Sequence, residues 1–131
     1  MDHPTRIVLE IESKCEFGCS YCSNKKKLER GESRIGKEKT FELIDEAESM
    51  KIHELTIRGG EAMMHPNFDE IWEYANEKKF ITTNLITNGI KLSKEKIVAM
   101  LKNNRAKIII SLDGFEKINS IFRHPDQYGA I

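Results

Sequence analysis

All three cysteines of the sequence, Cys15, Cys19 and Cys22, fall within one short stretch, CEFGCSYC. Thiolates suit zinc and iron–sulfur clusters, whereas hard cations take oxygen ligands. A structural zinc site needs four protein ligands, usually in two short pairs. The C-x3-C-x2-C spacing supplies three and offers no second pair. His53 and His65 could each be put forward as a fourth ligand. His65, however, precedes Pro66 in a loop, and His53 falls just before the second expected strand, at the opposite end of the sheet. Solvation or packing accounts for both. A 4Fe–4S cluster accepts three thiolates and leaves one iron open to another molecule. Zinc stays open as the alternative. An odd, clustered set of cysteines argues against a disulfide framework and for metal binding in a reducing compartment, so a cytoplasmic protein is expected.

These residues need a scaffold, and the chain has a regular rhythm of elements. RIVLEIE (6–12) alternates Ile7, Leu9 and Ile11 against Val8, Glu10 and Glu12, a strand pattern. The polar stretch 23–37 reads as a loop. TFELIDEAESM (40–50) sets Phe41, Ile44 and Ala47 on one helical face. ELTIR (54–58) is a short strand ending at Gly59-Gly60. A second helix follows, with Asn67 and Glu70 in capping-box positions and Phe68, Ile71, Trp72 and Ala75 as its apolar stripe. FITTNLIT (80–87) is a strand ending at the Asn88-Gly89 turn signal. Ser93 caps a third helix carrying Ile97, Met100 and Leu101. AKIIISL (106–112) has the apolar continuity of a strand buried on both faces.

The order βαβαβαβ predicts an α/β fold with a parallel sheet. Its strand ends are the cysteine loop, GGE (59–61), TNG (87–89) and SLDG (111–114). In parallel α/β architectures ligands gather at the carboxyl ends of the strands. The four segments are therefore expected to converge on one site.

CEFGCSYC resembles the CxxxCxΦC motif of the radical S-adenosylmethionine enzymes, with Tyr21 in the aromatic position. The resemblance runs nearly the whole chain. It implies that Cys15, Cys19 and Cys22 bind a 4Fe–4S cluster whose open iron is chelated by the amino and carboxylate groups of S-adenosylmethionine. One-electron reduction, from a flavodoxin- or ferredoxin-like partner, would cleave that cofactor to methionine and a radical that abstracts hydrogen from substrate. RGGEAMMHPNF (58–68) is similar to the family's GGEP segment, with Ala62 where proline is common. By that likeness the backbone of Gly59, Gly60 and Glu61 holds the cofactor's amino group. TTNLITNG implies that Asn88 faces the cofactor, although Asn-Gly is also ordinary turn chemistry. SLDG resembles the fourth-strand ending of the peptide- and protein-modifying subgroup. It would bring Ser111 and Asp113 to the ribose or methionine end. Arg123 is followed by His124-Pro125 where the family pattern has an arginine–glycine pair. No catalytic residue is assigned beyond the cluster ligands.

The implied fold is the first part, four strands, of an open, partial (βα)6 TIM-like barrel, with residues 1–131 forming a core domain cut after the fourth strand. Such a piece would be a fragment, or would cover its open sheet edge by self-association or with a partner. The subgroup likeness points to a peptide or protein substrate. Two other classes stay open: a non-catalytic iron–sulfur fragment and a zinc-stabilised interaction domain.

Composition sets outer bounds. The 131 residues suffice for one domain, and 39% hydrophobic content allows a packed core. Lys plus Arg and Asp plus Glu number 21 each, so net charge makes no case for nucleic acid or an anionic membrane. The basic run Lys25–Lys27 has Glu29 and Glu32 beside it and no interleaved aromatics, which suits a solvated loop better than an RNA-binding one. No apolar run reaches membrane-spanning length, and the first residues lack the order of a signal peptide.

Overall fold

The computed structural model describes residues 4–23 and 33–131. The lysine run and its neighbouring Glu29 and Glu32 lie outside the described residues. Four strands, β1 (Arg6–Glu12), β2 (Glu54–Gly59), β3 (Thr82–Thr87) and β4 (Ala106–Ile110), form one sheet in the order β1-β2-β3-β4. Every neighbouring pair is parallel. The helices between them are α1 (Lys37–Ser49), α2 (Phe68–Glu77) and α3 (Lys94–Met100). After β4 come two short helices, α4 (Glu116–Phe122) and α5 (Gln127–Ala130).

Period-two alternation decides which sheet face is apolar. Leu9, Ile57, Leu85 and Ile108 lie side by side in register. With Ile11 and Leu55 they pack against Ile44 and Ala47 of α1 and Phe68, Ile71, Trp72 and Ala75 of α2. Full burial of each large aliphatic or aromatic side chain contributes about 1.5–3 kcal/mol. The intervening row carries Thr56 and Asn84, and Asn84 Nδ2 donates to Glu54 Oε1 at 2.8 Å. One face of the sheet is thus core, and the other carries a polar row.

Three local readings change. β4 is an edge strand with Ile109 46% exposed, because it pairs only with β3 among the described residues. Asn67 does sit at the α2 N-cap, but its side chain donates to Glu70 Oε1 instead of capping the helix. Within the expected 23–37 loop, residues 33–35 run antiparallel to the end of β1: Ser13 N donates to Ser33 O at 2.9 Å and Ile35 N to Ile11 O at 3.1 Å. Arg34 joins this strap through Nε, 2.7 Å from Glu12 Oε2. Ser93 does cap α3, accepting from Lys96 N at 3.1 Å. No helix among the described residues is long and apolar enough to cross a membrane.

Candidate active site at the carboxyl ends of the strands

The sheet delivers the cysteine loop, the β2 turn and the ends of β3 and β4 to one cavity. Its lining includes Cys15, Cys19, Tyr21, Cys22, Gly59, Gly60, Asn88 and Ser111. Glu61 and Asp113 do not line it. Phe17, Arg58, Thr87 and Arg123, to which sequence reasoning assigned no role, do.

The base of the cysteine loop is set by backbone contact with the β2 turn. Gly60 N donates to Glu12 O at 2.7 Å and Glu61 N to Lys14 O at 2.8 Å. A Cβ at Gly59 would lie 2.1 Å from Glu12 O, and one at Gly60 would lie 2.2 Å from Ser13 O and 2.5 Å from Lys14 O. Glycine is required here because two stretches of main chain touch. The close approach is to the protein's own residues 12–14, immediately before Cys15.

Glu61 turns its side chain inward. Its buried carboxylate accepts from Met63 N at 3.0 Å, Asn88 N at 2.8 Å and Thr87 Oγ1 at 2.9 Å. Burial pushes its pKa above the ordinary carboxyl value, and those donors, led by Asn88 N, pull it back in part. The acidic residue therefore ties the β2 turn to the β3 end. Glu61→Ala leaves two backbone N–H groups and a hydroxyl without their acceptor. Each buried unpaired group costs about 1–3 kcal/mol. Urea denaturation is expected to show a loss of at least about 2 kcal/mol; an unchanged midpoint and slope would show that water replaces the carboxylate.

The turn after β3 is real, with Gly89 at φ 87° and Asn88 Oδ1 accepting from Ile90 N at 3.0 Å. Asn88 is 7% exposed, and its Nδ2 has no partner among the described residues. Turn chemistry uses the oxygen of this amide and leaves its buried nitrogen without a partner among the described residues.

The far wall closes over the loop. Tyr21 donates its hydroxyl proton to Asp113 Oδ2, and Arg123 Nε donates to the same oxygen at 2.6 Å. Desolvation and the hydrogen bond to Asp113 push the Tyr21 phenol up to about 12. Burial alone would raise the Asp113 carboxyl, but the bonds from Tyr21 and Arg123 outweigh it and hold it below its ordinary value. Phe17 stacks on His124, with ring centroids 4.8 Å apart and planes 13° apart, and Ser20 N donates to Phe122 O at 3.2 Å. Three residues of the loop, Phe17, Ser20 and Tyr21, are thus fastened to the segment after β4.

The cysteines are half-buried free thiols. Desolvation pushes Cys15 up to about 11; it also raises Cys19, against the pull of Arg123. Among the described residues no three His, Cys, Asp or Glu side chains converge tightly enough to hold a single metal ion. Three half-buried thiols at one cavity are a soft donor set that fits an iron–sulfur cluster. The unpartnered Asn88 amide nitrogen in the same wall fits a second molecule bearing oxygen acceptors. His65 is buried away from the cavity: Nδ1 accepts from Asn67 N, and Nε2 lies 2.9 Å from Ile35 O. His53 is exposed before β2. The packing reading of His65 and the surface reading of His53 agree with this placement.

Comparison with known proteins adds an independent observation. The family profile described as the Radical SAM superfamily matches residues 9–128. PqqA peptide cyclase of Rhodopseudomonas palustris is 30% identical over 113 residues, which are 86% of this chain and 30% of that protein. Mycofactocin maturase MftC of Mycobacterium ulcerans is 29% identical over 115 residues, covering 87% of this chain and 30% of its own length. The crystal structure of Streptococcus suis SuiB bound to S-adenosylmethionine superposes with a TM-score of 0.78 at 24% identity, over 95% of this chain and 29% of that one. SuiB bound to its precursor peptide SuiA gives a TM-score of 0.77 at 23% identity, over 95% of this chain and 28% of that one. At that identity the structural likeness concerns the fold. The chain spans about 30% of the length of the curated relatives it matches.

Proposed function

Since the chain belongs to the radical S-adenosylmethionine superfamily, an enzyme family that uses a 4Fe–4S cluster and S-adenosylmethionine, we propose that Cys15, Cys19 and Cys22 hold that cluster and that the surrounding strand ends hold the sulfonium cofactor. The observation that carries the reading is the meeting of three free thiols, two glycines in main-chain contact with the cysteine loop, and an unpaired amide around one cavity. When bound and reduced by one electron, the two groups together supply a radical able to abstract hydrogen from an unactivated position.

The chain's own residues bind and orient. The three thiols are ligands. Gly59 and Gly60, which line the cavity, offer backbone carbonyls suited to an ammonium, and Glu61 supports them from behind, its N–H on Lys14 O and its carboxylate on Thr87 and Asn88. Asn88 Nδ2 and the Ser111 hydroxyl serve oxygen atoms of the cofactor. Asp113 acts through Tyr21 and Arg123, holding both at the cavity wall. The Phe17–His124 stack braces the cysteine loop against the segment after β4 at the cavity wall. The relatives named for peptide cyclisation and maturation support a peptide or protein as substrate, approaching the polar row of the sheet. A flavodoxin- or ferredoxin-like donor would supply the electron, in a cytoplasmic setting that keeps thiols reduced. Residues 1–131 would then belong to one radical S-adenosylmethionine core domain.

Incubation of the anaerobically reconstituted chain with S-adenosylmethionine and a strong reductant tests this. The expected products are 5′-deoxyadenosine and methionine in equal amounts. A cluster-bearing chain that releases neither would be a passive iron–sulfur binder. Colourless protein holding one zinc would be an interaction domain.

A further inference from the structure

We propose that Asn119 and Gln127 are positioning residues of this site, a buried amide pair that sets the separation of the β3 and β4 ends and with it the placement of Asn88 and Ser111. Both side chains are 0% exposed. Gln127 Nε2 donates to Asn88 O at 2.6 Å and to Ser111 O at 2.9 Å. Its Oε1 accepts from Asn119 Nδ2 at 3.0 Å, and Asn119 Oδ1 accepts from Asp113 N at 3.1 Å. The inference rests on the functional reading above, because Asn88 and Ser111 line the proposed cofactor cavity.

The direction of every bond in this chain follows from chemistry. Asn88 O and Ser111 O only accept, so Gln127 must turn its amide nitrogen, with two hydrogens, toward them. Its oxygen then faces Asn119, which must present its own nitrogen. The oxygen left on Asn119 takes the Asp113 N–H. An ionised acid at either position lacks a donor that no rotation restores, and at Gln127 even a protonated acid supplies one proton where two carbonyls need donors. A buried network of this kind is stabilising when complete and costly when one link fails. It touches none of the cysteines, so the expected damage falls on the cofactor wall and spares the thiols.

Gln127→Glu and Asn119→Asp test this with two readouts. Native-state hydrogen exchange on the chain without cofactors is expected to show the Ser111 and Asp113 amides exchanging about tenfold faster or more in Gln127→Glu, with β1 and β2 amides unchanged. After anaerobic reconstitution, both variants are expected to hold the parent's iron content and to bind S-adenosylmethionine roughly tenfold or more weakly. Unchanged exchange overturns the proposal. So does unchanged cofactor affinity at full iron content. Loss of folding in both variants overturns it in favour of a purely structural role. Should the parent itself assemble no cluster, the functional reading fails, while exchange still reports whether the amide pair holds the two strand ends.

Discussion

Cys19→Ala is expected to lower iron retention from about four atoms per chain to near background after anaerobic reconstitution. Cys19 sits between the other two cysteines in the loop, and all three side chains line the same cavity. No fourth thiol exists to substitute. His65 is engaged by Ile35 O and Asn67 N in the interior, so it is not free to step in. The remaining pair of thiols would bind cluster weakly and in a geometry open to oxygen and chelators. Iron and sulfide analysis alongside the absorption spectrum measures the loss. Parent-level iron in the variant would remove Cys19 from the ligand set. Circular dichroism checks that the sheet survives, which it should, because the Cys19 side chain takes no part in the core.

Gly60→Ala is expected to be nearly as damaging by another route. Its new methyl group would lie 2.2 Å from Ser13 O and 2.5 Å from Lys14 O, and both atoms are backbone. Neither can swing aside as a side chain would. The residues just before Cys15 must therefore move, breaking the Gly60 N to Glu12 O and Glu61 N to Lys14 O bonds that register the cysteine loop against β2. Overpacking of this kind costs about 1–3 kcal/mol, and rigid main chain favours the upper end. Both the denaturation midpoint and iron retention should fall. Gly18→Ala is the control: it lies between Cys15 and Cys19 yet has nothing within 4 Å of its Cβ position. It should keep cluster and stability alike. Equal behaviour of the two variants would mean that chain flexibility, not close approach, explains the glycines.

Much of this was legible in the residue pattern. The β1 reading matched to the residue because its apolar alternation is clean, and the parallel order followed from strands separated by helix-length segments. The convergence of CEFGCSYC with the β2 and β3 ends was legible for the same topological reason. β4 misled because an apolar run such as AKIII does not say which neighbours cover it. Asp113 was read toward the cofactor, but its carboxylate holds Tyr21 and Arg123, and the Glu61 carboxylate, to which spacing assigned no role, ties two strand ends together; rotamer and register decide both. The Phe17–His124 stack and the Asn119–Gln127 pair are tertiary contacts between ordinary-looking residues. The only hint was a pair of amides eight positions apart after a strand end, and such pairs are common in solvated segments.

The most direct test of three thiols holding a cluster with one iron reserved for S-adenosylmethionine is electron paramagnetic resonance of the reduced, reconstituted chain with and without that cofactor. The expected result is a cluster signal, at about four irons per chain, whose g-values shift when S-adenosylmethionine is added and shift no further beyond one equivalent. A signal that ignores the cofactor, or a chain that takes up zinc and builds no cluster, would contradict it.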